Sequence, residues 1–151
     1  MSNPFVSVIN LGCRVNRVES DRMERDLAQA GFALVDPDDA ELIVINTCAV
    51  TGEAEAKTRK AVRHALGRAR EPLVVATGCA ASLHPEALRD LSDRVAVVPS
   101  KVEVVSRALK LLGLEESARG DCAPCEPAFR QARVGVKVQD GCNNRCTYCI
   151  V

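Results

Sequence analysis

The sequence predicts an α/β fold, an open parallel sheet of four to five strands with helices on both faces. Three observations carry this. Four short runs rich in β-branched residues (Phe5 to Asn10, Leu42 to Asn46, Leu73 to Thr77 and Arg94 to Val98) alternate with amphipathic stretches, the pattern of βαβ units. Turn residues punctuate that alternation, at Gly31, Asp36-Pro37 and Gly113. The composition, 47% hydrophobic and 26% charged over 151 residues, suits a chain able to bury a real core. The architecture expected is Rossmann-like or flavodoxin-like.

In chain order, the first strand is followed by a helix over Arg17 to Ala30 and by a weaker strand, Phe32 to Val35, entered by Gly31 and closed by Asp36-Pro37. Leu42 to Asn46 leads to a helix over Glu53 to Arg70. Its acids, Glu53 and Glu55, come early and its bases, Lys57 to Arg70, later, the order a helix dipole favours. Further helices are expected at Pro85 to Leu91 and Val102 to Leu112, the latter with Gly113 just past its end. Beyond Gly113 the text turns polar and turn-rich through Glu115-Glu116-Ser117, Gly120-Asp121, Pro124 and Pro127, which reads as a linker. An alternating run, Val134 to Val138, then enters Asp140-Gly141-Cys142. The organisation expected is a domain over 1–114, a linker over 115–131 and the start of a second domain over 132–151.

A formal charge of zero removes any argument for wholesale attraction to nucleic acid or membrane, leaving room for a local basic face. The N-terminus lacks a basic segment followed by an apolar run, and no apolar stretch nears the ~18 residues of a membrane span. A cytoplasmic protein with no membrane partner is expected. Eight cysteines are about 5% of the chain, below the roughly 8–10% of disulfide-stapled secreted domains, and in the cytosol clustered thiols read as metal ligands or catalytic groups. No glycine-rich dinucleotide or phosphate-loop motif is present.

Cys142, Cys146 and Cys149 have the spacing C-x3-C-x2-C. Three thiolates on one tight loop can hold three irons of a [4Fe-4S] cluster and leave the fourth open. A structural zinc site wants four protein ligands, and a ferredoxin-type run uses C-x2-C-x2-C, so neither fits. With Tyr148 before the last cysteine, the motif resembles the radical S-adenosylmethionine signature. That resemblance implies S-adenosylmethionine chelated at the open iron, cleaved by one electron to a 5'-deoxyadenosyl radical, with Tyr148 near the adenine.

Cys13, Cys48 and Cys79 are far apart in sequence, yet each lies two or three residues beyond an expected parallel strand. Loops at the carboxyl ends of parallel strands converge in the crevice where α/β sheets bind ligands, so the three thiols are expected to meet there as ligands of a cluster. Taken singly, each reads better as a buried apolar thiol; it is the three at one strand end that favour a cluster. Gly12 and Gly78, preceding two of them, would let backbone approach an inorganic group and donate N–H bonds to its sulfurs.

The words around these cysteines, Leu11-Gly12-Cys13-Arg14-Val15-Asn16-Arg17-Val18-Glu19-Ser20, Asn46-Thr47-Cys48-Ala49-Val50-Thr51 and Thr77-Gly78-Cys79, resemble the N-terminal domain of the methylthiotransferases. Those are radical S-adenosylmethionine transferases with two [4Fe-4S] clusters. The resemblance implies an auxiliary cluster on Cys13, Cys48 and Cys79, and a radical cluster on Cys142, Cys146 and Cys149. It also implies that residues 132–151 are the first strand and cluster loop of a partial TIM barrel. A barrel needs on the order of 200 residues, so a chain of 151 reads as an N-terminal piece that holds clusters without turning over substrate.

The Cys-Arg-Val-Asn start and the Asp-Gly-Cys-Asn-Asn-Arg-Cys-Thr-Tyr-Cys-Ile-Val end look most like the branch acting on threonylcarbamoyladenosine beside the tRNA anticodon. Cys-Gln-Met-Asn would suggest the isopentenyladenosine branch, and Cys-Pro-Lys-Asn the ribosomal-protein branch. The chemistry implied is methylthiolation of adenine C2. One S-adenosylmethionine supplies the radical and a second the methyl group, with an external donor such as a flavodoxin or ferredoxin supplying electrons. A non-catalytic iron-sulfur carrier and a flavin-binding module are the readings from other classes. The polar side of the 53–70 helix reads as a solvated face, with a tRNA-backbone contact as the alternative. Cys122 and Cys125, a C-x2-C, match no part of the family pattern and read as a zinc half-site, a redox pair or two incidental thiols, and His64 and His84 read as structural.

Overall fold

The structure is a computed structural model and describes residues 3–48 and 52–114, together with 136, 138, 143, 144, 146 and 147. Five strands, β1 (Phe5–Asn10), β2 (Ala33–Leu34), β3 (Leu42–Thr47), β4 (Leu73–Gly78) and β5 (Val95–Val97), form one sheet in the order β2-β1-β3-β4-β5. Every pairing is parallel. The helices are α1 (Arg14–Gln29), α2 (Gly52–Leu66), α3 (Cys79–Leu83), α4 (Pro85–Arg89) and α5 (Val104–Leu111), the last entered through a 3-10 turn at Lys101–Glu103.

Strand β3, Leu-Ile-Val-Ile-Asn-Thr, is central and buried along its whole length, as a parallel strand covered on both sides must be. Its alternate residues feed two cores. Leu42 and Val44 pack with Val6, Leu27, Val75 and Val104 under α1 and α5. Ile43 and Ile45 pack with Val62, Ala65, Val74 and Leu88 under α2 and α4. The expected architecture, helices on both faces of an open parallel sheet, is the one observed.

The element ends differ in instructive ways. The weak strand shrinks to Ala33–Leu34, paired only with Phe5 and Val6 at the sheet edge. Helix α1 begins at Arg14 rather than Arg17, because Cys13 is extended (φ −73°, ψ −173°) and its carbonyl accepts the first helical bond, from Arg17 N–H at 3.0 Å. Helix α2 stops at Leu66, four residues early, where tight turns close through Arg68 N–H to Ala65 and Glu71 N–H to Arg68. Helix α5 ends as expected. Gly113 takes φ +68°, its N–H donates to Lys110 O and that of Leu114 to Leu109 O, the paired bonds of a Schellman cap. Helix α3 is a correction, since the chain after β4 reads in sequence as a loop.

The linker over 115–131, Cys122 and Cys125 lie outside the described residues. Of the run over 134–138, Val136 and Val138 are described, both exposed and outside the sheet.

Candidate metal centre at the strand ends

In the β2-β1-β3-β4-β5 order, β1 runs through α1 to β2 on one side and β3 runs through α2 to β4 on the other. The order therefore reverses between β1 and β3, and the crevice outside their carboxyl ends is where such sheets take ligands. Cys13 follows β1 and Cys48 follows β3, one on each side of that point. Cys79 follows β4, one strand further along. The ladder aligns Asn10 with Asn46 and Asn46 with Thr77, and pairs Thr47 with Gly78, so Cys48 and Cys79 leave the sheet at the same level.

Cys13 and Cys79 are exposed, Cys48 is buried, and all three are free thiols. They share one edge, spanned by two strand spacings of roughly 4.8 Å each. Among the described residues no three His, Cys, Asp or Glu side chains are grouped to hold a metal ion. Two of the three thiols are tied to helix starts, Cys13 at the N-cap of α1 and Cys79 as the first residue of α3, rather than lying on loops free to fold inward. The donor set nonetheless suits an iron-sulfur cluster: three soft thiol ligands on adjacent strand ends, with two of them open to solvent.

Beneath the thiols lies a buried polar layer that sequence reasoning missed. Asn16 Nδ2 donates to Thr47 O at 3.1 Å, and Asn46 Nδ2 donates to Asn16 O at 2.9 Å and to Ser20 Oγ at 3.1 Å. Thr47 Oγ1 donates to Thr77 O at 2.7 Å and accepts from Ala81 N–H at 3.3 Å. Thr58 Oγ1 of α2 reaches Cys48 O at 3.4 Å. Asn16, Ser20, Asn46, Thr47 and Thr77 are all buried. The available signal was polar residues, Asn46 and Thr47, ending an otherwise apolar central strand.

The two glycines have a different task from the one expected. A Cβ on Gly12 would stand 1.8 Å from Asn16 Nδ2, and one on Gly78 would stand 2.6 Å from both Asn46 Oδ1 and Thr47 O. Protein atoms already fill these spaces, and Gly12 N–H is spent on Asn10 Oδ1 at 3.1 Å. Gly78 also holds φ +95°, which favours glycine.

Elsewhere, Cys146 of the C-terminal triplet is a free, exposed thiol, whereas Cys142, Tyr148 and Cys149 lie outside the described residues. His84 Nε2 is 3.2 Å from Glu55 Oε1, joining the α3–α4 junction to α2, and His64 is exposed on α2. Helix α2 buries Thr58, Val62 and Ala65 and leaves Lys57, Lys60 and Arg63 in solvent. Among the described residues, no helix is long and apolar enough to cross a membrane.

Fold and site together define a flavodoxin-like α/β protein with three free thiols at the carboxyl edge of its sheet. The chain belongs to the family described as "Uncharacterized protein family UPF0004", which residues 6–100 match. It is 30% identical over 97% of its length to the threonylcarbamoyladenosine tRNA methylthiotransferase MtaB of Thermotoga maritima, covering 35% of that protein. It is 34% identical to the enzyme of the same name from Aquifex aeolicus, over 97% of this chain and 39% of the relative. The ribosomal protein uS12 methylthiotransferase RimO of Desulforudis audaxviator is 29% identical over 97% of this chain and 36% of its own length. The chain thus spans a little over a third of the curated relatives it matches.

Proposed function

We propose that this chain is the cluster-bearing N-terminal part of a tRNA methylthiotransferase acting on adenine C2 of threonylcarbamoyladenosine. The observation that carries the reading is the placement of Cys13, Cys48 and Cys79 at the carboxyl ends of three adjacent parallel strands, astride the switch point. Membership of the family and the names of the two tRNA-modifying relatives support it.

In this reading Cys13, Cys48 and Cys79 hold an auxiliary [4Fe-4S] cluster. Cys142, Cys146 and Cys149 hold a second, with Tyr148 beside bound S-adenosylmethionine. When bound, the clusters would supply the electron that cleaves S-adenosylmethionine and the sulfur that carries the methyl group. The chain's own part is to present three thiolates rather than four to each cluster, so that one iron stays open to an exogenous ligand. The partners are tRNA, S-adenosylmethionine and an external flavodoxin-like or ferredoxin-like donor, and the compartment is the cytoplasm.

Anaerobic iron and sulfide quantification tests this. The unmodified chain is expected to hold about eight irons, and Cys13→Ala and Cys142→Ala about four each, with the loss falling on different clusters. A chain that takes up no iron, or loses none with either substitution, refutes the reading. With dithionite and S-adenosylmethionine, the whole protein should release 5'-deoxyadenosine, which an electron carrier would not. The uS12 relative supports a second substrate, a ribosomal protein. Methylthio transfer to tRNA against transfer to that protein decides between them.

A further inference from the structure

The backbone ladder ends at Asn10, Thr47 and Gly78, and the three cysteines lie just beyond it. Past it, one backbone bond, Leu11 N–H to Asn46 O at 3.0 Å, still joins the first two segments, and side-chain bonds link all three. Beside the Asn46 bonds to α1, the side chains of Asn16 and Thr47 make the links nearest the cysteines. Asn16, one turn into α1 from Cys13, donates from Nδ2 to the carbonyl of Thr47, the residue that precedes Cys48. The hydroxyl of the same Thr47 donates to Thr77 O and accepts from Ala81 N–H, in the helix that Cys79 begins. One relay thus runs from the Cys13 segment through the Cys48 segment to the Cys79 segment, crossing the sheet from the α1 face to the α3 face.

We infer that Asn16 and Thr47 are positioning residues for the three-cysteine site, their side chains fixing the three thiol-bearing segments relative to one another. This rests on the reading of Cys13, Cys48 and Cys79 as cluster ligands. Both residues are buried, at 4% and 0% exposure. An apolar residue of equal size would fill either place without the cost of desolvating a polar group. What the polar residue adds is direction, because a hydrogen bond holds orientation as well as distance. The bonds formed behind first ligands set a metal's affinity, and losing one typically costs about 10- to 100-fold. Gly12 belongs to the same device, since the space where its Cβ would be is filled by the Asn16 side chain.

The test uses the 151-residue chain with Cys142, Cys146 and Cys149 changed to Ser, so that one site alone loads. After anaerobic reconstitution with iron and sulfide, cluster affinity is read by chelator competition, and the electron paramagnetic resonance spectrum of the reduced cluster is recorded. Thr47→Val and Asn16→Leu are expected to weaken retention about 10- to 100-fold and to alter the spectrum, while Thr47→Ser, which restores the hydroxyl, recovers both. Thr77→Val is the matched control, because Thr77 is equally buried and lends the relay its carbonyl, its own hydroxyl lacking a partner among the described residues. The inference is overturned if Thr47→Val and Asn16→Leu keep the parent's retention and spectrum, or if Thr77→Val loses as much as they do. Circular dichroism accompanies each variant. Should Thr47→Val fail to fold, Asn16→Leu set against Thr47→Ser decides on the same criteria. If the parent takes up no cluster and Cys13→Ala changes nothing, the metal reading itself fails and the inference falls with it, a result distinct from the others.

Discussion

Gly78→Ala puts one methyl group at the most crowded point of the strand-end edge. Gly78 has φ +95° and ψ −162°, a conformation essentially reserved for glycine, and holding an alanine there costs about 1–3 kcal/mol. The new Cβ would also lie 2.6 Å from Asn46 Oδ1, 2.6 Å from Thr47 O and 2.9 Å from Thr47 N. Two of those atoms are backbone of the central strand, and the third belongs to a side chain held by two hydrogen bonds. Relief requires prising β3 from β4, an overpacking cost of about 1–3 kcal/mol more. The sum, about 4 kcal/mol, is a large part of a typical domain's stability of roughly 5–15 kcal/mol. At roughly 4 °C per kcal/mol for a chain of this size, Tm should fall by about 15 °C in a thermal melt followed by circular dichroism. Gly67→Ala is the control. Its Cβ would meet nothing nearer than Arg63 O at 3.5 Å, so it should be neutral or slightly stabilising. A Gly78→Ala melt within about 2 °C of the parent, on a scale where 1 kcal/mol moves it about 4 °C, would mean that neither the backbone angle nor the crowding at Gly78 holds the strand ends together.

Leu27→Ala empties a fully buried site under α1 and should cost about 2–5 kcal/mol in urea denaturation, with an unchanged m-value. Asn46→Asp replaces a buried donor, which serves Asn16 O and Ser20 Oγ, by an acceptor facing acceptors. A loss of about 3 kcal/mol or more is expected by the same measurement, and a neutral result would mean that the polar layer is not closed to water. Arg22→Ala removes an ion pair with Asp26 whose partners are 3.7 Å apart and 75% and 45% exposed, so Tm should barely move, the change staying within about 0.5 kcal/mol.

Much of this molecule was legible in its sequence because the signals are local. Runs such as Leu42–Thr47 and Leu73–Gly78 declare buried parallel strands by their apolar, β-branched content, and Gly113 announces the end of α5 by the backbone angle only glycine takes easily. The misplaced boundaries have local causes too weak to read in sequence. Helix α1 begins early because the carbonyl of an extended Cys13 accepts its first bond, and α3 forms where Gly78, at positive φ, turns β4 directly into a helix. The β2 strand is short because it meets only Phe5 and Val6, an edge pairing that no pattern within residues 32–35 reveals.

The spacing of the Cys142–Cys149 triplet and the words around Cys13, Cys48 and Cys79 were enough to point, through a family resemblance, to a thiolate-ligand chemistry, because residue type and spacing are written in one dimension. Only the tertiary structure could decide which strands are neighbours. Cys13 and Cys48 flank the switch point because β3, not β2, follows β1 on that side of the sheet, a matter of long-range pairing. Nor could sequence join Asn16 to Thr47, 31 residues away, or show that the room beside Gly12 and Gly78 is filled by protein. Hydrogen bonds and steric exclusion act through space, so the parts that orient the thiols came into view only once the sheet was assembled.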